Sequence, residues 1–178
     1  MRQLHLSSLV LISYSLLGQA PVNMPIDSTS KRVTYEAVFD APGSAHDLFE
    51  RTEAWFKKYY PNPSAVIKSK DESIGKIEGT HQFALYIEDK KGTEKYIGSI
   101  KYDIKTWVKE GMVRYMLTNI RVEHTIYYGI ERWMDPTHDD AANNPKKLEK
   151  IDAFMNDLVA NFRKFMTTIE QKKSEDDW

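Results

Sequence analysis

The chain has 178 residues, a formal net charge of −1 and no cysteine. One domain with one hydrophobic core is the default expectation at this length. The lack of cysteine excludes disulfides, thiolate metal ligands and cysteine nucleophiles. The near-balanced charge excludes a global positive field that would draw the protein to nucleic acid or anionic lipid.

The first twenty residues have the pattern of a secretory signal peptide. Arg2 precedes the run LSSLVLISYSLL, which is shorter than the roughly 20 apolar residues of a spanning helix. Gly18 and Ala20 are the small residues that a signal peptidase reads. We therefore expect cleavage of residues 1–20 and a periplasmic or secreted mature protein without a membrane span. An amphipathic first helix of the fold is the alternative.

Alternation and helical periodicity then predict the first two elements of a domain over residues 32–170. Residues 21–31 are predicted to be a polar linker. The stretch RVTYEAVFD alternates as a half-buried strand does. Ser44 and Asp47 have capping-box spacing ahead of an amphipathic helix that Pro61 ends. The inward positions are Val33, Tyr35, Ala37 and Phe39 in the strand, and Ala45, Leu48, Phe49, Thr52, Trp55, Phe56 and Tyr59 in the helix.

Four further strands and a long helix complete the predicted domain. The strands are read from SAVIKSK, IGKIEGTHQFALYIE, EKYIGSIKYDIKTWV and MVRYMLTNIRVEHTIYY, with hairpin turns at DKKGT and KEG. Asn144 and Pro145 begin the helix, and residues 171–178 are predicted to be a disordered tail. A single apolar stripe on this helix favours packing on the sheet over a coiled coil. The stripe is Leu148, Ile151, Met155, Leu158, Phe162, Phe165 and Ile169.

The order strand, helix, four strands, helix is that of a TBP-like β-α-β4-α half-repeat. In SAHDLFERTEAWFKKYY, GKIEGTH and IKYDIKTWVKEGMVRYMLTNI the chain resembles a family of exported bacterial proteins of unknown function with a TBP-like fold. The resemblance implies an α+β fold, a five-stranded antiparallel sheet with two helices on one face, and an exported address. It implies no reaction, because fold does not determine function.

The sheet face that the helices leave open carries a candidate docking patch. If Glu110 and Gly111 centre the turn, Trp107 lies opposite Arg114, and this register keeps the arginine out of the core. Met116 and Tyr86 are expected nearby. The patch is either a stabilising cross-strand cation–π pair or a partner site, because these residue types are enriched at interfaces. Acids and bases alternate on this face, which argues against DNA.

A second candidate site is a polar row on the helix-facing side. Pairing across DKKGT puts His81 opposite Tyr102, which in turn faces Asn119. A bulge is expected near Asn119, because the alternation of apolar and polar residues along the strand shifts by one position there. The row is either an internal hydrogen-bond network or the polar floor of a small pocket beneath the long helix.

The connection from the fifth strand to the last helix is unusually long for its kind. Tyr127, Tyr128, Trp133 and Met134 make it apolar, so it should pack over a sheet edge or cover a site. His138, Asp139 and Asp140 are adjacent in this loop, which is a weak pattern for a metal, and we predict no metal site.

Two function hypotheses follow. No serine-hydrolase elbow, phosphate-binding loop or zinc-protease motif occurs, so we favour a non-catalytic exported binding or assembly module and leave catalysis open. The alternative is a small envelope hydrolase or sugar-processing protein with its site near His81. The expected partner is a protein, a peptide, or a small apolar or glycan ligand, with no nucleic acid and no cofactor. A homo-oligomer is an open alternative.

The N-terminal pattern predicts that the mature chain begins at Pro21 or within a few residues of it. Sequencing the N-terminus of the native protein checks this directly. An intact Met1 in a cytosolic fraction would contradict it.

Overall fold

The computed structural model describes residues 22–89, 91–123, 128–138, 141 and 143–168. The strands are β1 (Tyr35–Asp40), β2 (Ile67–Asp71), β3 (Lys76–Glu88), β4 (Glu94–Lys109), β5 (Met112–Glu123) and β6 (Tyr128–Gly129). The helices are α1 (Ala45–Tyr59), α2 (Pro63–Val66) and α3 (Asn144–Thr167), with 3₁₀ turns at Glu72–Ile74 and Ile130–Met134.

The strands form one antiparallel sheet in the order β1-β5-β4-β3-β2, and β6 pairs with the end of β5. The edges of this path are β1 and β2. The long helices α1 and α3 pack on one face, against which Ile100, Tyr102 and Ile104 of β4 are at most 1% exposed. The predicted α+β architecture is confirmed, with the two-residue β6 as a sixth strand.

The second predicted strand begins later than expected. Pro63–Val66 form the helical turn α2, in which the Asn62 side chain accepts a hydrogen bond from the Ala65 amide at 3.3 Å. Proline at the first helical position has the backbone angle that a helix needs. The strand of the stretch SAVIKSK is therefore confined to its second half, from Ile67.

Helix α1 begins at the predicted capping box. The Ser44 hydroxyl accepts a hydrogen bond from the Asp47 amide at 3.1 Å, and the Asp47 carboxylate accepts one from the Ser44 amide at 3.2 Å. These contacts satisfy amides that have no partner within the helix. The buried positions Leu48, Phe49, Thr52, Trp55 and Phe56 agree with the predicted periodicity. The predicted inward face was too long at both ends, because Ala45, the first residue of the helix, is exposed and Tyr59, the last, is half-buried.

Helix α3 lies on the sheet, as its single apolar stripe predicts. Phe154 stacks on Phe83 of β3 with the ring centroids 3.7 Å apart. The Tyr35 hydroxyl of β1 donates to Asp152 at 2.6 Å. Near the end of α3 the observed buried positions differ from the predicted stripe. Met166 is buried there, whereas Phe165 is only half-buried. Ile169 lies outside the described residues.

The β4–β5 hairpin has the predicted register. Trp107 pairs with Arg114, and Ile104 pairs with Leu117 on the helix side. The register shifts between Lys101 and Asp103, and Asn119 opposite has a φ of +52°. The bulge predicted near Asn119 is therefore present. Asparagine tolerates this left-handed backbone conformation better than most residues other than glycine.

Two segments predicted without regular structure pack on the domain. In the predicted linker, Met24 is 3% exposed and Ile26 forms an isolated bridge with Val33, so residues 22–31 do not behave as a free tether. In the long connection, Ile130 and Trp133 are buried, as expected for a packed layer. Tyr127, Asp139, Asp140 and the predicted segments 1–20 and 171–178 lie outside the described residues.

None of the helices in the described ranges combines the length and the apolar character that crossing a membrane requires.

Truncation of the α3 stripe tests how much this helix stabilises the domain. Leu158 is 1% exposed, so Leu158→Ala should lower the free energy of unfolding by about 2–5 kcal/mol through lost burial and a cavity. Urea unfolding measures this loss. The control is Asn156→Ala on the exposed side of α3, which should change stability by less than about 0.5 kcal/mol. A similarly small loss for Leu158→Ala would contradict packing on the sheet.

Candidate functional site

The predicted pair on the open sheet face is formed. The Arg114 guanidinium lies 4.7 Å from the Trp107 ring centroid, and Lys76 Nζ lies 5.5 Å from it. Met116 is half-buried and pairs with Lys105 and Glu36 on the neighbouring strands. The face therefore presents an aromatic ring held by cations.

Tyr86 does not join this patch. Trp107 is paired with Lys76 at the start of β3, whereas Tyr86 lies ten residues further along that strand. At about 3.3 Å per residue the separation is roughly 33 Å. Tyr86 instead contacts Tyr96, at 5.6 Å between ring centroids. The prediction that Tyr86 lies near the patch is corrected by the length of β3.

Five cations of the open face each contact a carboxylate. Arg114 donates to Glu36 through Nη2 at 2.6 Å and Nε at 2.8 Å, which fixes the guanidinium against Trp107. The other pairs are Lys76–Glu78 (2.9 Å), Lys105–Glu78 (3.7 Å), Lys101–Glu123 (3.3 Å) and Arg121–Asp103 (3.4 Å). The face thus has little unbalanced charge to offer a partner. Its docking role stays a prediction.

The polar row differs from the predicted one at one end. The hydroxyl of Tyr102 lies 3.3 Å from His81 Nδ1 and 3.1 Å from the hydroxyl of Tyr60, at the end of α1. Asn119 is not part of this row. At the bulge its side chain turns to the open face, where Nδ2 donates to Asp103 at 2.8 Å. Tyr60 therefore takes the place that we predicted for Asn119.

The row is an uncharged network at neutral pH. Burial raises the pKa of both tyrosines, Tyr60 and Tyr102, so their hydroxyls stay protonated. Burial also lowers the pKa of His81, which favours the neutral imidazole. A neutral histidine bound to a tyrosine ties β3, β4 and α1 together. That is the internal hydrogen-bond alternative of the sequence analysis.

A groove between α1 and α3 is the larger of two concave regions that we describe. It encloses about 640 Å³ on the solvent side of the helix pair. We call it the α1–α3 groove. It is lined by Arg51, Ala54, Trp55, Lys58, Tyr59, Asn161, Lys164, Phe165 and Thr168. None of these residues was predicted to form a site.

Aromatic side chains form the floor of the α1–α3 groove. The Trp55 indole donates to Asn161 Oδ1 at 2.8 Å, across the two helices. Tyr59 stacks on Trp55, with ring centroids 4.9 Å apart and ring planes 20° apart. Phe165 lies on the α3 side beneath the ammonium of Lys58, at 5.5 Å. The floor is therefore apolar and fixed by a hydrogen bond between the helices.

The rim of the groove is basic. Arg51 Nη1 donates to the carbonyls of Pro42 at 3.0 Å and Met166 at 2.8 Å, which anchors the guanidinium at the end of α3. Lys58 and Lys164 are exposed, and within the described ranges neither forms an ion pair. The lining contains no aspartate or glutamate. The carbonyl end of α3 offsets part of this positive charge, as does Asp157 near the lining. Burial is the larger cause of the raised pKa of Tyr59, and the charge of Asp157 adds to it.

A smaller concave region of about 360 Å³ lies where β1 and β6 approach the same edge of β5. There the Glu131 carboxylate accepts a hydrogen bond from the Val33 amide at 2.7 Å. Arg32 donates to Asn119 at 3.1 Å. These contacts link residues 32 and 33 to β5 and to the 3₁₀ turn that follows β6.

The sheet order and the two helices on one face define the class of the protein, an α+β domain with the TBP-like fold. Residues 35–123 match the family described as a domain of unknown function (DUF4468) with TBP-like fold. The chain therefore belongs to the DUF4468 family, and the predicted family resemblance is confirmed.

Two crystal structures share the fold. A DUF4468 family protein from Bacteroides ovatus has a TM-score of 0.66 and 18% identity, over 84% of this chain and 93% of that one. A TBP-like protein from Parabacteroides distasonis has a TM-score of 0.66 and 17% identity, over 82% of this chain and 98% of that one. No curated protein matches the chain.

The histidine environments predict opposite pKa shifts. Hydrogen bonding to Glu72 at 2.6 Å raises the pKa of His46, whereas burial lowers that of His81. The His46 contact therefore stabilises the fold below about pH 6.5 and is lost as the pH rises through the raised value. His81 acts in the other direction, because stability falls as the pH drops below about 6.5.

An NMR titration of the imidazole resonances measures both shifts. Glu72→Gln should lower the pKa of His46 and leave that of His81 unchanged, which makes His81 the internal control. A pKa of His81 above that of His46 would contradict the described environments.

Proposed function

We propose that this domain is a non-catalytic binding module that acts in an exported compartment, with its ligand site in the α1–α3 groove. The observation that carries the proposal is the unbalanced charge of the groove. Arg51, Lys58 and Lys164 surround an aromatic floor without a lining carboxylate. The N-terminal pattern of the sequence supports export.

The charge distribution favours the groove over the open sheet face. On the sheet face, a partner that binds Arg114 must compete with Glu36, which already holds the guanidinium through two nitrogens. In the groove, an anionic ligand meets the exposed ammonium groups of Lys58 and Lys164 without displacing a carboxylate. The net gain from charge is therefore larger in the groove.

The hydrolase alternative has weaker support. A general base in a polar pocket would need access to a substrate, and neither of the two described concave regions is lined by His81. The His81 contacts are the rings of Tyr60 and Tyr102, and desolvation is the cause of its lowered pKa. These features suit a hydrogen-bonded support for the sheet.

Affinity capture with matched variants tests the proposal. The mature chain and two double variants are immobilised and exposed to an envelope extract of a producing bacterium, and bound compounds are identified by mass spectrometry. Lys58→Glu with Lys164→Glu should abolish the specific captures. Trp107→Ala with Arg114→Ala should retain them and lower stability by only about 1 kcal/mol, the scale of an exposed cation–π pair.

The reverse pattern, with captures lost only in the sheet-face variant, would move the site to the Trp107–Arg114 patch. Conversion of a captured compound into a product by the purified chain would instead favour the hydrolase alternative. Melting temperatures of all variants separate lost binding from lost folding.

A further inference from the structure

We infer that the α1–α3 groove takes a small amphiphilic organic anion, a molecule with an apolar or aromatic body and one anionic group. This inference rests on the proposed function and names the chemistry of its ligand. It draws on three properties of the groove: its apolar floor, its basic rim and its size.

The apolar body of such a ligand fits the floor. Trp55 is only 1% exposed, so the accessible apolar surface comes from the half-buried Tyr59 of α1 and Phe165 of α3. A flat ring placed between them contacts one aromatic side chain from each helix. Offset stacking and edge contacts make aromatic groups favourable in such a position.

The anionic group of the ligand fits the rim. Arg51 is oriented by two carbonyls that both bind Nη1, so its other guanidinium N–H groups are held in a defined direction. Lys58 of α1 and Lys164 of α3 contribute ammonium groups on long side chains. A fixed guanidinium with two flexible cations suits a carboxylate, sulfonate or sulfate.

The size of the groove favours a small molecule over a protein partner. The lining of α1 runs from Arg51 to Tyr59, which is about 12 Å at 1.5 Å rise per residue. That length covers about two helical turns, a short extent for a stable protein interface, which buries roughly 1,000 Å² or more. A volume of about 640 Å³ lies within the range of small-ligand sites, roughly 300–1,000 Å³.

Two fluorescent probes with the same aromatic body test this inference on the mature chain. 1-Anilinonaphthalene-8-sulfonate carries an anionic group, and N-phenyl-1-naphthylamine is its neutral counterpart. The sulfonate should bind at one saturable site and more tightly than the neutral probe. Lys58→Glu with Lys164→Glu should weaken the sulfonate by about tenfold or more and change the neutral probe by less than about threefold. Phe165→Ala should weaken both probes.

The control is Lys146→Glu with Lys150→Glu, which changes the net charge equally at exposed α3 positions outside the groove. It should leave both probes unaffected. Equal weakening in the control, unchanged sulfonate binding in the groove variant, or binding at many equivalent sites would each overturn the inference. If groove-dependent captures from the envelope extract prove to be neutral compounds or proteins, the inference fails while the binding function stands.

Discussion

Phe162 of α3 is the side chain on which the arrangement of sheet and helices depends. It is 1% exposed, and its ring contacts Trp55 of α1 at 4.7 Å between centroids. On the sheet side it meets Phe39 at 6.2 Å and Tyr115 at 6.3 Å, both edge-to-face. One ring thus joins both helices to β1 and β5. Trp55 also lines the α1–α3 groove, so the floor of the candidate site is in direct contact with this part of the core.

Charged side chains are arranged differently on the open sheet face and at the α1–α3 groove. On the open sheet face, cross-strand neighbours lie close enough for each cation to meet a carboxylate, and the pairs stabilise a surface that has no helix to cover it. On the helix side, the residues that line the groove together with Arg51, Lys58 and Lys164 are aromatic or uncharged. A ligand that binds a paired cation must compete with its carboxylate. A ligand that binds an unpaired cation beside apolar surface has no such competitor.

The sequence predicted the fold and the pairing of residues across the strands more completely than the local direction of single side chains, for physical reasons. Burial of Arg114 is costly, so a single register of the hairpin was acceptable, and that register is observed. The sequence pattern placed the Asn119 side chain on the wrong face of the sheet. A bulge turns one side chain to the opposite face, and the sequence does not show at which residue this happens. Phe165 was assigned to the buried stripe, because periodicity locates a helix face only to within about one residue and does not report where a neighbouring helix ends. The available indication of the groove was the pair of basic side chains, Arg51 and Lys58, beside the apolar positions of α1.

The acidic side chains of β1 bear on how the sheet edge meets other molecules. Glu36 and Asp40 alternate on the open face with Val38, which is 57% exposed. If two copies paired antiparallel about Val38, Glu36 of each strand would face Asp40 of the other, and like charges directly opposite are unfavourable. The acidic residues on both sides of the exposed valine therefore disfavour the addition of an identical strand. Charged side chains commonly protect sheet edges from aggregation in this way.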